Sequence, residues 1–387
     1  MMAAPDWTLT EHHGRAGLRS VEADWRRLYA QMPRRTCLIA FEAATEHVEH
    51  CLEDPDAVRC LVLSDGQDSR AICLLEPRHE CRLGFRSKTW GVLWLSGQAV
   101  YSDIVCPDDE VRRWFVPLLA EHLRRHPEGR RLLALGPLEL DAPLWEGLRR
   151  LDPLDLSLDR NERMKVLDSR KPYALVEAGC TKRYRRALRN ARNRLKELPD
   201  VRFREVRGIQ ALAGEVPAFL DLEGSGWKGE GRSSIRHRRG LADYYQGVAG
   251  SMAGEQDYCE IYAMDTGGHC IASTFAIRTG PIRSLMKIGF DEAYARVSPG
   301  HQLLAHVIER CCADPAIDRV NFVSDAPWLT GWPSEVVDLQ MVYLNIGGSI
   351  GRLFAALLRF RLGPLRRLAR WLQPRLRRLS LREEKES

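Results

Sequence analysis

Nothing in this chain of 387 residues has the length of a membrane-spanning helix, because every apolar run is interrupted well short of one. Its first residues, Met-Met-Ala-Ala-Pro-Asp-Trp-Thr, have neither a basic start nor an apolar segment, so no signal peptide is expected. The 11 cysteines are odd in number and form no Cys-x-x-Cys pair, and no histidine stands at ligand spacing from any of them. Reduced, mostly buried thiols in a cytoplasmic protein are therefore expected, with no zinc or other metal site. Lysine is scarce, 8 residues against 50 arginines, a bias that GC-rich coding explains without function. Acidic residues almost vanish from the end of the chain. From Ile346 to Ser387 ten Arg and one Lys face three Glu, a balance of +8 within a total of +6, so the first 345 residues carry −2.

What is present is ample apolar material. A hydrophobic content of 44% and ten Trp can fill sizeable cores, and the length exceeds what one core usually serves. Two halves with a similar order of elements emerge. In the first, a strand near Trp7 precedes a helix over 18–31, then strands over 58–64 and 70–75 meet at Asp65-Gly-Gln-Asp68, a hairpin signal. A strand over 90–95, a helix over 110–125, a strand over 131–135 and a short helix over 143–151 follow. Residues 152–171 read as a charged, irregular connector. The second half begins with a strand over 173–177 and a helix over 181–198. Next come a strand over 201–206, helices over 210–222 and 241–252, and a hairpin over 258–278 turning at Asp265-Thr-Gly-Gly268. A strand over 281–290, a helix over 302–312 and a strand over 319–324 complete it. The expected domains are 1–165, 166–345 and a basic tail over 346–387, in an α/β class with mixed sheets.

The strand over 281–290 runs into Asp291-Glu-Ala-Tyr-Ala-Arg-Val-Ser-Pro-Gly-His-Gln302. Ser298 is a good N-cap, Pro299 suits the first helical position, and Gly300 permits close approach, so the turn offers an anion cradle of free amides and helix dipole. A second segment, Leu222-Glu-Gly-Ser-Gly-Trp-Lys-Gly229, ends a helix in a glycine-rich loop that carries Trp227 and Lys228, as a lid would. The third is the helix from Thr181, whose Tyr184, Leu188, Ala191, Leu195 and Leu198 form a core stripe beneath eight cations with almost no acid among them. A solvated face is the ordinary account of those charges; a bound phosphate, nucleotide or acidic glycan is the functional one.

Together, Thr181-Lys-Arg-Tyr-Arg-Arg-Ala-Leu-Arg-Asn-Ala-Arg-Asn-Arg-Leu195, Leu222 to Gly229 and Phe290-Asp-Glu…Ser298-Pro-Gly300 resemble the CelD-like acetyltransferases of the GNAT superfamily, which sit beside the Fem-type peptidoglycan aminoacyl ligases. The resemblance spans Tyr173 to Tyr343, with a weaker echo at Tyr101-Ser-Asp103. It implies tandem GNAT-like domains, N-acyl transfer from acyl-CoA or a related thioester to an amine, and surface polysaccharide or envelope synthesis. The donor loop departs from the usual Gln/Arg-x-x-Gly-x-Gly/Ala form, since Ser298-Pro-Gly300 has one glycine.

Under this reading no cofactor is permanently bound and acyl-CoA is the co-substrate. Asp291, Tyr294 and Glu223 are the candidates for base or proton relay, Asp291 first because it stands at a strand end. Ser298, Gly300, His301 and Gln302 would hold the donor; Trp227, Lys228, Arg183, Arg186, Asp103 and Asp325 would meet substrate. The expected acceptor is a small molecule or glycan precursor in a groove between the halves, with no DNA partner. Two alternatives stand beside it: a Fem-type ligase taking its group from aminoacyl-tRNA, and a GNAT-derived binding module without catalysis. The tail alternates Leu353, Phe354, Leu357 and Leu358 with arginines, which fits either a brace packed on the second half or an amphipathic helix lying on an anionic membrane at its inner face.

Overall fold

The computed structural model describes residues 7–82, 85–93, 102–126, 128–139, 142–225 and 234–359. The first half runs β1 (Thr8–His13), α1 (Gly14–Ser20), α2 (Glu22–Gln31), α3 (Phe41–Glu46) with a π-helical turn (His47–Cys51), β2 (Arg59–Ser64), β3 (Ser69–Arg82), β4 (Phe85–Val92), α4 (Asp109–Arg125), β5 (Leu132–Glu139), α5 (Leu144–Leu148) and β6 (Leu156–Asp168). The second runs α6 (Tyr173–Gly179), α7 (Lys182–Leu195), β7 (Arg202–Arg207), α8 (Ile209–Gly224), α9 (Leu241–Ser251), β8 (Asp257–Thr266), β9 (His269–Thr279), β10 (Ile282–Phe290), α10 (Pro299–Ala313), β11 (Arg319–Asn321), β12 (Glu335–Asn345) and α11 (Gly348–Arg359).

The twelve strands among the described residues join one sheet in the order β1-β2-β3-β4-β5-β12-β6-β11-β10-β9-β8-β7. Read inward from either edge, five strands of one half are followed by the sixth strand of the other. The pairing repeats as well: β4·β5 and β10·β11 are parallel, β5·β12 and β11·β6 antiparallel. The halves are thus related by a pseudo-twofold that exchanges β6 and β12. Burial follows the exchange, because Val342 and Leu344 of β12 pack with Phe115 and Leu119 of α4, and Leu167 of β6 packs with Leu303 and Val307 of α10. On the opposite face α2, α3, α8 and α9 share one core across both halves. There Gly240, at φ 63°, lies so close to the His50 carbonyl that any Cβ would overlap it.

Local chemistry accounts for much of this. Asp65 Oδ1 accepts from the amides of Gln67 and Asp68 to turn β2 into β3, and Gly267 and Gly268 take positive φ between β8 and β9. Thr181 caps α7 by accepting from the Tyr184 amide. Three expectations are corrected. The irregular connector over 152–171 is largely β6, the longest partner of β12, and the residue-165 division falls inside it. Residues 173–177 are helical, not extended: Pro172 opens α6, where its missing N–H costs nothing, and only Val176 is buried. The single helix over 18–31 divides at Val21 into α1 and α2. Strand β12 had no sequence assignment at all.

The start of the tail is helical in α11, where Arg352 meets Asp155 at 2.8 Å and Asp152 at 3.4 Å while Ile350 and Leu353 are exposed. Phe354, Leu357 and Leu358 have no described side-chain surroundings, and residues 360–387 lie outside the described set. No helix among the described residues is long and apolar enough to cross a membrane.

Candidate active site in the splay of β10 and β11

The parallel pairing of β10 with β11 lasts only from Ile282↔Arg319 to Ser284↔Asn321. Beyond it the strands part. Strand β11 stops because Asn321 Oδ1 accepts from the Val323 amide at 2.9 Å, which swings the chain away. Val323 is held at φ 57°, a left-handed conformation that a β-branched residue adopts at roughly 1–3 kcal/mol. Strand β10 continues to Phe290, and a bulge against β9 between Leu285 and Lys287 re-aims its side chains. The gap left in the sheet is a cavity of about 230 Å³ walled by Leu285, Met286, Leu304, Phe322 and Val323. Ile288 and Trp328 also line an outer, mostly apolar cavity of about 320 Å³, together with Phe290, Ser298, Gly300 and His301.

The N-terminus of α10 opens on the outer cavity. Ser298, at φ 51°, makes no side-chain cap, and no acidic residue stands in the first turn. Its carbonyl accepts from the amides of His301 (3.0 Å) and Gln302 (3.1 Å), and Pro299 has no N–H. The cradle is consequently narrower than the sequence suggests, and the Gly300 amide is the first-turn donor that remains. A Cβ at Gly300 would stand 3.4 Å from the Phe290 ring, so the fold has room for a side chain that the cavity has not.

His301 is the titratable side chain of this wall. Its Nδ1 lies 2.9 Å from the Tyr184 hydroxyl, and burial holds the imidazole below its ordinary value. The tautomer with Nδ1–H donated to the Tyr184 oxygen leaves Nε2 as an acceptor. Burial also pushes the Tyr184 phenol well above its usual range, so it stays neutral. The Tyr184 ring meets Trp332 edge-on at 5.6 Å, and His301 meets Trp328 at 5.8 Å. Gly331 makes this possible, because a Cβ there would stand 2.1 Å from the Tyr184 ring.

The other expected residues take different places. Asp291 accepts from the Ala293 amide through Oδ1 and pairs with His269 Nε2 at 3.0 Å through Oδ2. The His269 hydrogen bond, then the Ala293 amide, holds its carboxyl below the usual range, which weakens it as a base, and it does not line either cavity. Tyr294 is half-buried beside the His269 ring. Glu223 is buried at the end of α8, where Oε2 accepts from the Ile235 amide at 2.9 Å and Gly289 of β10 packs against its backbone. Gln302 is also buried, its Nε2 donating to the Leu188 carbonyl to join α10 to α7. Arg183 and Arg186 are exposed on α7. Asp325 follows the cavity residue Ser324 and pairs with Arg163 at 2.8 Å and Lys165 at 3.5 Å. Asp103 lies in the other half, bound by Arg112 at 2.7 Å. Trp227 and Lys228 lie outside the described residues. Sequence reasoning placed Tyr184 in a core stripe and passed over Trp328. Their proximity to His301 had no local signal.

Residues 182–328 match the family model of an acetyltransferase (GNAT) domain. Among solved structures, the chain is similar to FemX, at TM-score 0.58 and 9% identity over 89% of this chain and 100% of that one. It is also similar to the C-terminal domain of a putative lysylphosphatidylglycerol synthetase from Agrobacterium fabrum, at TM-score 0.55 and 11% identity over 87% and 95%. A conserved protein of unknown function from Bacteroides thetaiotaomicron gives TM-score 0.53 and 14% identity over 84% and 97%. No curated protein matches the sequence. At these identities the likenesses speak to fold, and the fold is a mixed α/β, tandem GNAT-like one whose second half holds the residues that match the GNAT-domain model.

Proposed function

We propose that the protein is an N-acyltransferase that takes an acyl group from a coenzyme A thioester and passes it to an amine. The observation that carries this reading is the open splay of β10 and β11 beside a helix N-terminus that no side chain caps. In it the Gly300 amide and the dipole of α10 meet the donor's phosphates, and the apolar walls receive the thioester arm. The amine nitrogen attacks the thioester carbonyl carbon, the C–S bond breaks, and coenzyme A leaves as its thiolate. His301, held toward its neutral form by partial burial, takes the proton that the attacking nitrogen releases and passes it to the departing thiolate, and Tyr184 holds its ring. This moves the base from Asp291 to His301.

Incubating the protein with acyl-CoA and a panel of amines, and following free thiol and acylated product by mass spectrometry, tests the reading. Absence of both, with no binding of CoA by calorimetry, would end it. A second reading has its own support: α7 carries seven cations and no acid, and Lys182, Arg183, Arg186 and Arg189 are all exposed on it. That face suits an aminoacyl-tRNA donor, and transfer from charged tRNA in place of CoA would establish it.

A further inference from the structure

We infer that the acyl group this protein carries is an apolar chain longer than acetyl, an inference that rests on the thioester reading above. The reason lies in the shape and chemistry of the inner cavity. Ile288 and Trp328 line both the outer space beside Gly300 and the gap in the sheet, so an acyl chain that passes between them reaches about 230 Å³ more. Leu285, Met286, Leu304 and Phe322 are each at most 8% exposed, and they come from β10, α10 and the turn after β11. Lys287, Ser324 and Thr274 are the polar residues at its border; no aspartate or glutamate lines the gap, and the hydroxyl of Thr274 is committed to the Lys287 carbonyl at 2.9 Å. An acetyl methyl would fill one corner and leave apolar walls facing nothing. An extended chain would cover them, and the bulge at Leu285/Lys287 together with the left-handed Val323 is what keeps the walls apart.

Each methylene that enters such a space contributes about 0.8 kcal/mol, roughly a fourfold gain in affinity. Calorimetric titration of the full chain with CoA and its acetyl, butanoyl, hexanoyl and octanoyl thioesters reads this directly. Affinity should climb about fourfold per methylene and level off when the gap is full. Leu304→Phe should flatten the climb while CoA binds as before; Leu285→Ala should move the plateau to a longer chain, an independent reading if the first variant folds poorly. Equal affinity from acetyl to octanoyl, with CoA binding intact, overturns the inference and leaves the thioester reading standing. If CoA itself does not bind, both fall together.

Discussion

The two halves build the same junction and then treat it oppositely. In the second, β10 and β11 part and the gap stays open. In the first, β4 and β5 also pair in parallel, over Thr89↔Leu132 to Gly91↔Ala134, but Ser102 bridges the strands beyond that pairing, beside a polar cavity of about 330 Å³ lined by Ser102, Asp103, Asp109, Arg112 and Leu138. Ser102 donates its amide to the Pro137 carbonyl and its hydroxyl to the Leu93 carbonyl, and Val105 pairs with Ile72 on β3. The helix that follows differs in the same sense. Asp108 caps α4 by accepting from the Glu110 and Val111 amides, and Asp109 and Glu110 add negative charge to its first turn. The corresponding end of α10 has none of these. A helix terminus already neutralised by its own carboxylates repels a phosphate, whereas an uncapped one attracts it. One junction is bridged, polar and acidic at its helix end, while its counterpart is unbridged, mostly apolar and uncapped.

The largest effect expected from breaking this contrast is structural and belongs to the first half. Asp103 and Arg112 form a buried pair, their side chains 15% and 7% exposed. Asp103→Ala leaves the guanidinium with only the Cys106 carbonyl and the 3.8 Å pairing to exposed Asp109 and should lower stability by about 3 kcal/mol in denaturant unfolding. Acyl-CoA affinity at a temperature where the variant is folded should not change, and loss of affinity there would place the donor in the first half instead.

In the second half the expected loss is catalytic. His301→Gln keeps a side chain able to bond Tyr184 but removes the base, so turnover should fall about 100-fold or more with donor affinity retained. The same histidine sets a pH dependence. Its folded pKa is lowered by burial, so the unfolded state binds the proton more readily. Its contribution to stability is complete above the ordinary imidazole value near 6.5 and is lost as pH falls below it. Urea midpoints measured downward from pH 7 should fall faster for the parent than for His301→Gln, and parallel curves would show that His301 does not titrate in this way.

Smaller changes sharpen the contrast between the helix ends. Gly300→Val places methyl groups in the outer cavity and should weaken CoA binding about tenfold, the loss of one hydrogen bond to an anion, with little change in melting temperature. Unchanged affinity by calorimetry would remove the Gly300 amide from the site. Asp108→Ala should cost about 1 kcal/mol of stability as a lost N-cap, with CoA affinity unaltered.

Sequence alone determined the elements whose signals are local. Both hairpins, the helix start at Ser298-Pro-Gly300 and the strand leading into it are legible, because turn chemistry acts within a few residues, although Ser298 does not cap with its side chain. The repeated order of elements is legible for the same reason. Only the tertiary structure decided β6. Its charged run, Asp159-Arg-Asn-Glu-Arg163, reads as a connector, and it becomes a central strand because β11 and β12 offer it backbone partners on both sides. Tyr184 and His301 stand 117 residues apart, and their contact exists because α7 packs on α10 and Gly331 leaves room for the ring. Asp291 has the right position in the sequence for a base, but the neighbouring His269 brought by β9 and the Ala293 amide turn it into a hydrogen-bonded cap. Spacing along the chain shows which residues are present at a site, while protonation and access depend on what the fold packs against them.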